Sequence, residues 1–276
     1  MNSGAFGVLV GLSLLGAAWL WLAPWRQAWR RWRVSRQAFP ASWRAILREQ
    51  VPLVARLPAD LQLQLKRRML VFLAEKPFLA CDGLVLTEAM RVVIAAQACL
   101  LLLNRPGADF ASLRQILLYP APFWVDRVRA GAAGVVHEQR QALSGESWQQ
   151  GQVILSWADV RAGSADPGDG RNVVIHEFAH QLDQDNGPAN GAPALGGRRR
   201  QREWQQVMGA EFAALQARVA AGDPGLLDAY GASDPAEFFA VISEAFFEQG
   251  ERLAAAHPAL YRQLSLFYRV LPLSWR

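Results

Sequence analysis

Two histidines four residues apart, His176 and His180, constrain the fold of this chain more than any other feature. Residues at this spacing lie on one face of an α-helix, one turn apart, so the two imidazoles would point toward a common position. Two ligands of one Zn²⁺ ion need that arrangement. Glu177 would then lie beside the metal, where a carboxylate can accept a proton from a water molecule that the metal has acidified. The pattern is therefore typical of a hydrolase site.

The residues around the two histidines favour a buried helix. Apolar residues occupy the remaining faces: Val173, Val174, Ile175, Phe178, Ala179 and Leu182. Asn186 and Gly187 form a plausible stop for the helix. Asp183, one turn beyond His180, could orient a ligand through a hydrogen bond or could be a solvated residue near the helix end. The pattern is short, and the alternative is a pair of ordinary core or surface histidines.

A catalytic zinc ion usually has three protein ligands and one water molecule, so a third ligand is needed. A metzincin-type protease would place a histidine six residues after His180, but that position is Asn186, and Asp183 stands where the glycine would be. This class is excluded. His257 precedes Pro258 at the start of a predicted surface helix and is a poor candidate.

A helix that begins with Asp234 as its N-cap and Pro235 as its first residue offers better candidates. Glu237, Glu244 and Glu248 fall near one face of it. Glu237 could instead close a capping box with Asp234, and the other two could lie on a solvated face or support a ligand. The residues alone leave open which carboxylate binds the metal.

The N-terminal segment from Gly4 to Trp25 is uncharged and long enough to cross a hydrocarbon core of ~30 Å as a helix. Basic residues follow it rather than precede it, unlike in a cleavable signal peptide. We therefore predict one transmembrane helix, with the rest of the chain on the cytoplasmic side of the inner membrane. Residues 1–37 would form the anchor and a basic juxtamembrane segment, and residues 38–276 the catalytic domain. The alternatives are an amphipathic helix on the membrane surface and a buried helix of the domain.

Charge argues against direct nucleic-acid binding. The formal net charge is +5, but residues 1–48 contain seven arginines and no acidic residue, which leaves −2 for the remainder. A slightly acidic body offers no general field for phosphate groups. The basic run Arg198–Arg202 belongs to a predicted mobile loop over 186–202, without a recognition helix.

The other patterns predict an α+β domain that is mostly helical with a small sheet. Helices are expected over residues 58–75, Thr87–Leu103 and about Glu203–Ala221, strands over Gln115–Phe123, Gly134–His137 and Gln152–Trp157, and a loop over 161–171. His137 is expected to be a structural histidine. Gln152–Trp157 comes just before the metal helix, so it is a candidate for pairing with an extended peptide substrate.

Four motifs together resemble the Mlc titration factor A family of zinc-dependent peptidases. They are LYPAPF at 118–123, SGESWQQG at 144–151, IHEFAHQLD at 175–183 and the stretch at 228–247. The likeness covers about residues 40–270 and follows the family's order. The family's metal site is similar to that of the catalytic domain of anthrax lethal factor, which implies a zincin-like fold. The apolar segment at 4–25 departs from the family members known to us.

The resemblance implies a role for each site residue. His176, His180 and Glu237 would be the zinc ligands, Glu177 the general base, and Tyr230 the hydroxyl that stabilises the oxyanion. Known members act as aminopeptidases and bind the transcriptional repressor Mlc, so the resemblance implies a gluzincin-like zinc aminopeptidase. The alternative is a membrane-tethered protein that sequesters a repressor, with zinc serving only structure. A structural zinc site needs a fourth protein ligand, and the sequence offers no obvious one.

Overall fold

A run of helices precedes the main sheet. The computed structural model describes residues 12, 19, 21–105, 107, 109–130, 136–143, 145–148, 151–223 and 225–275. The helices before the sheet are α1 (Ala23–Ser35), α2 (Ala41–Gln50), α3 (Ala59–Glu75) and α4 (Glu88–Leu100), with a 3-10 turn at Pro52–Arg56. The Thr87 hydroxyl caps α4 by accepting a hydrogen bond from the Met90 N–H at 3.3 Å. Helix α4 is buried from Val92 onward, as its apolar character on all faces predicts.

The strands, in chain order, are β1 (Phe78–Ala80), β2 (Gln115–Tyr119), β3 (Phe123–Ala130), β4 (Val136–Leu143), β5 (Gly145–Trp148) and β6 (Gln152–Ser156). The main sheet has the order β1-β2-β6-β5, and only β5 runs antiparallel to its neighbour. β3 and β4 form a separate antiparallel pair, in which His137 lies opposite Arg129. The prediction of a mostly helical α+β domain with a small sheet is confirmed.

The second half of the chain is helical. It contains α5 (Trp157–Ala165), α6 (Val173–Asp183), α7 (Arg198–Ala220), α8 (Pro235–Glu248), α9 (Gly250–Ala256) and α10 (Pro258–Tyr268), with 3-10 turns at Gln184–Asn186, Ala229–Ala232 and Pro272–Ser274. The predicted loop over 161–171 is wrong in its first half, because α5 continues to Ala165. Helix α7 begins at Arg198 rather than near Glu203, since Gly197 at φ +129° lets the chain turn into the helix there.

Strand β6 has hydrogen-bonded neighbours on both sides. Its residue Ile154 pairs with Leu117 of β2, and Val153 pairs with Ser147 of β5. The prediction that Gln152–Trp157 receives an extended peptide is therefore wrong, because no free edge remains there, and Trp157 already belongs to α5. Within the described residues, β5 is the edge strand on this side of the sheet, and it contacts α6.

Helices α6 and α8 pack against each other in the core. Helix α8 is buried from Phe238 to Glu248. Aromatic rings of α8 and of the neighbouring helices contact one another edge to face or stacked: Trp204, Phe239, Phe246, Phe247, Phe267 and Tyr268. The Tyr268 hydroxyl donates a hydrogen bond to the Ser243 hydroxyl at 2.7 Å, which ties α10 to α8. The position of the first turn of α8 is thus fixed by a close-packed core.

Helix α1 packs against α3 through the Arg31 guanidinium, which donates to both carboxylate oxygens of Glu75 at 2.8 and 2.7 Å and also pairs with Asp109. The predicted membrane helix at 4–25 lies mostly outside the described residues. Over the described residues, no helix combines the length and the apolar character that crossing a bilayer requires. The division of the chain at residue 37 stays a prediction.

Candidate metal centre

Helix α6 carries the two histidines. The Asn172 side chain caps its start by accepting a hydrogen bond from the Ile175 N–H at 3.1 Å. The helix ends at Asp183, continues as one 3-10 turn, and stops at Gly187 with φ +145°, close to the predicted stop. The rings of His176 and His180 lie on one face, with centroids 4.9 Å apart and planes at 80°.

Helix α8 brings a carboxylate to the same position. Asp234 caps the helix by accepting from the Ala236 and Glu237 N–H groups at 2.9 and 3.0 Å, and Pro235 is its first residue, as predicted. This cap places Glu237 in the first turn. Its Oε2 lies 2.9 Å from His176 Nε2 and 3.4 Å from His180 Nε2.

The three side chains fit a divalent metal. One ligand atom from each of His176, His180 and Glu237 lies within 4.8 Å of the other two. Tetrahedral coordination with bonds of ~2.0–2.1 Å separates ligand atoms by about 3.3 Å, close to the two spacings at Glu237 Oε2. Two imidazoles and one carboxylate are also the donor set that leaves a fourth position open. This cluster could therefore hold a metal ion.

The electrostatics of the cluster favour a cation. Burial opposes a charge on His176, but the nearby Glu244, the hydrogen bonds to Glu237 and Glu244, and the charge of Glu177 outweigh it and raise the pKa of His176 well above its usual range. Burial alone would raise the pKa of Glu237, yet its bonds to the two histidines lower that pKa strongly. The carboxylates around the two imidazoles therefore stabilise positive charge at this position, which suits a cation.

Glu244 orients His176 from the side opposite the cluster. Its Oε1 lies 2.8 Å from His176 Nδ1, and its Oε2 accepts a hydrogen bond from the Asn172 N–H. The first of these bonds fixes the imidazole so that Nε2 faces Glu237. Of the two roles left open for Glu244 in the sequence, support of a ligand is the one that the geometry favours.

Asn172 and Glu248 extend this network, and sequence reasoning missed both contacts. The Asn172 side-chain amide donates to Glu248 Oε1 at 2.9 Å while its carbonyl oxygen caps α6. Burial raises the pKa of Glu248 to about 8, Glu244 and Asp169 add to this effect, and the bond from Asn172 opposes it. The helix start would suggest a capping role for Asn172, but no local pattern reveals a partner 76 residues away.

The structure places the two other predicted catalytic residues beside the cluster. Glu177 follows His176 on α6 and is only 4% exposed. Tyr230 lies in the 3-10 turn before α8, with its ring centroid 6.1 Å from that of His176. Its side chain is partly exposed to solvent.

Asp183 is not solvated, and its hydrogen bonds go to the backbone rather than to a ligand histidine. It is fully buried, and its Oδ2 accepts hydrogen bonds from the N–H groups of Asn190 and Gly191, both at 2.7 Å. The Gly191 carbonyl accepts from the Trp204 indole at 2.8 Å. The predicted mobile loop over 186–202 is therefore anchored at its centre, to α6 on one side and α7 on the other.

The remaining histidines lie apart from the cluster. His257 Nδ1 is 2.8 Å from a carboxylate oxygen of Glu211, so its partner is a residue of α7 rather than a metal. His137 belongs to β4 of the separate two-stranded sheet. Among the described residues, the cluster at α6 and α8 is the one group of three or more ligand-type side chains with metal-binding spacing.

A comparison with models of known protein families identifies the family of this chain. The family model for the glucose-regulated metallo-peptidase M90 matches residues 25–269. The chain belongs to this family. The resemblance to the Mlc titration factor A proteins is confirmed as well, because those of Klebsiella pneumoniae and Yersinia enterocolitica are 38% and 35% identical to it.

These relatives match most of the chain. The Klebsiella protein aligns over 82% of this chain and 85% of its own length, and the Yersinia protein over 93% and 92%. An uncharacterised protein of the cyanobacterium Synechocystis is 38% identical over 94% of this chain and 95% of its own length. The similarity to a metallopeptidase family thus extends over most of the chain.

Proposed function

We propose that this protein is a zinc-dependent peptidase, and an aminopeptidase in particular, acting on peptide or protein substrates. The observation that carries the proposal is the convergence of His176, His180 and Glu237 at metal-binding distances, with the buried Glu177 on the same helix. Membership in a metallopeptidase family supports it. His176, His180 and Glu237 would hold the zinc ion.

Each catalytic residue has a defined task in this mechanism. A bound zinc ion would supply Lewis acidity, which brings the pKa of a water molecule toward neutrality. Glu177 would accept a proton from that water and later pass it to the leaving amine nitrogen. The Tyr230 hydroxyl would donate a hydrogen bond to the oxyanion that develops on the scissile carbonyl. Strand β5, the edge strand next to α6 among the described residues, would align the peptide backbone by hydrogen bonds.

The test compares the wild type with Glu177→Gln for zinc content and for hydrolysis of aminoacyl anilides and a peptide library. The variant should keep one equivalent of zinc and lose activity by about 10²–10⁴-fold, because the base is gone while the ligands remain. Glu251→Gln, an exposed change on α9, is the matched control and should keep full activity. Unchanged hydrolysis by Glu177→Gln would refute the assignment of the base.

A second function is favoured by the names of the relatives. Mlc titration factor A is named for titrating Mlc, so we propose binding of a transcriptional repressor as the alternative role of this chain. Zinc would then serve structure, and both the wild type and Glu177→Gln would bind zinc without cleaving any substrate. Co-purification with an Mlc-type repressor, unchanged in Glu177→Gln, would support this role.

We also propose that the N-terminal segment anchors the protein in the inner membrane by a single span, with the catalytic domain in the cytoplasm. The exposed tryptophans and arginines of this region support a membrane interface, and Arg26, Arg33 and Arg36 lie over the rings of Trp19, Trp29 and Trp32. Alkaline extraction of membranes should leave the full chain in the pellet and release a variant lacking residues 4–20. Release of both proteins would contradict a spanning anchor.

A further inference from the structure

A cavity of about 380 Å³ lies apart from the metal cluster and is bordered by three arginines, Arg105, Arg200 and Arg269. The one carboxylate that borders it is Asp185, so its charged groups sum to +2. Arg31, Arg171 and Arg199 form ion pairs, but none of the ion pairs found among the described residues involves an arginine of this cavity. Among the described residues, none of the three guanidinium groups therefore has a carboxylate within 4 Å, and Arg200 donates to the Leu266 carbonyl at 3.1 Å.

Within the described chain, Arg105 has a hydrogen-bond donor without an acceptor, which is the strongest indication of a ligand. Its Nη1 is buried and has no hydrogen-bond partner in the part of the chain that the structure describes. Its guanidinium lies 4.0 Å from the centre of the Phe267 ring, which holds it in place. Burial is the main cause that lowers the pKa of Arg105, and the nearby Tyr268 and Asp185 only partly oppose it. A buried donor without an acceptor costs free energy unless a ligand supplies one.

The backbone adds further donors. Helix α7 has Gly197 as its N-cap residue, which has no side chain to cap the helix, and the first backbone hydrogen bond across this start comes from Gln201. The N–H groups of the first turn have no intrahelical acceptor, and this turn lies next to Gly196 and Arg200 in the wall of the cavity. Such a helix start attracts negative charge.

We propose that this cavity binds a phosphate group, either as inorganic phosphate or as the phosphate end of a small monoester. Guanidinium groups bind phosphate through paired, charge-assisted hydrogen bonds, and three of them meet here. The cavity is larger than one phosphate ion requires, which leaves room for the remainder of a small molecule. Asp185 and Leu195 also border the cavity, near the two ends of the segment that connects α6 to α7.

The test is calorimetric titration of the full-length protein with inorganic phosphate and with glycerol 3-phosphate, at constant ionic strength. Each of Arg269→Gln and Arg105→Gln should weaken binding by about tenfold or more. Arg199→Gln is the matched control, because Arg199 lies in the same basic run but pairs with Glu203 outside the cavity, and it should bind as the wild type does. Arg269 is exposed, so its variant tests the site even if Arg105→Gln does not fold.

The outcomes separate the two sources and the competing explanations. Tighter binding of glycerol 3-phosphate identifies a monoester as the ligand, and equal or weaker binding identifies phosphate itself. The proposal is overturned if the wild type binds neither compound beyond a chloride control, or if the arginine variants bind as well as the wild type. It is also overturned if Glu237→Gln alone abolishes binding, because phosphate would then be bound at the metal centre.

Discussion

Glu244 Oε1 lies 2.8 Å from His176 Nδ1, while the other ring nitrogen of the same imidazole faces Glu237 at 2.9 Å. Both carboxylates come from α8, seven residues apart, so one helix supplies a candidate ligand and the residue that orients another ligand. The packing register of α8 against α6 therefore sets the positions of both carboxylates relative to His176. A small rotation of α8 would move both carboxylates away from His176.

Replacing Glu244 with Gln should lower the affinity for zinc by about 10–100-fold. Both of its partners, His176 Nδ1 and the Asn172 N–H, are donors when His176 uses Nε2 for the metal. A glutamine offers one acceptor oxygen and can satisfy only one of them. Zinc competition with a chromophoric chelator measures the effect, with Glu251→Gln as the control. Wild-type affinity in Glu244→Gln would show that this contact does not orient the ligand.

Replacing Gly191 with Ala should destabilise the protein by more than about 2 kcal/mol. Gly191 has φ +73°, and an added Cβ would lie 2.3 Å from the carbonyl oxygen of Pro235 at the start of α8. Gly83 has φ +74° with open space around it, so Gly83→Ala should cost only about 1 kcal/mol for the backbone conformation. Urea unfolding of both variants gives the comparison, and equal costs would mean that the approach of Pro235 has no effect.

Asp183→Ala should cost about 2–3 kcal/mol and expose the segment 184–197 to proteases, because the N–H groups of Asn190 and Gly191 lose their shared acceptor. Asp183→Asn should be nearly neutral, since one amide oxygen can accept both bonds and the other carboxylate oxygen has no partner among the described residues. Limited proteolysis and urea unfolding measure these effects. Similar cleavage of wild type and Asp183→Ala would contradict an anchoring role.

Glu248 should make stability depend on pH. Its carboxyl group titrates near pH 4.5 when unfolded and near about 8 when folded, because burial disfavours its charge. Between these values the folded state holds the extra proton, so the free energy of unfolding falls as the pH rises from 4.5 to 8. Glu248→Gln removes this loss, and its Oε1 can still accept from Asn172 while the other oxygen has no partner within the described residues.

The expected result for Glu248→Gln is a gain of about 1–4 kcal/mol over wild type at pH 8, and a much smaller difference at pH 5. Urea unfolding at the two pH values measures the gain. Glu251→Gln removes an exposed carboxylate and should show no such change. A stability difference between Glu248→Gln and wild type that is the same at both pH values would contradict the proposed protonation of Glu248.

Local sequence patterns predicted the features of the site that depend on residues close together in the chain. The helix from Asn172, its two histidines, and the start of α8 at Asp234 and Pro235 follow from spacing and capping, which act within one or two turns. Such patterns do not predict contacts between residues that only the folded chain brings together. Asp183 looked like a ligand partner or a solvated residue because nothing in the sequence shows that Gly191 folds back onto it.

The order of the strands in the sheet also could not be predicted from the sequence. The segment Gln152–Trp157 has the short apolar run of a strand, but its two neighbours are set by the sheet, in which β2 and β5 enclose it. Only the assembled sheet shows that β5 is the edge beside the metal helix. From the sequence, only the family resemblance identifies Glu237, rather than Glu244 or Glu248, as the metal ligand. In the structure, its distances to the two imidazoles make the same choice directly.

The most direct test of the central claim is anomalous diffraction at the zinc absorption edge from crystals of the protein grown with zinc. We expect one strong peak bonded to His176 Nε2, His180 Nε2 and one carboxylate oxygen of Glu237, with Glu177 near the metal but not bonded to it and Glu244 bonded only to His176. A peak ligated by Glu177 or Glu244 in place of Glu237, or no peak at this cluster, would contradict the account.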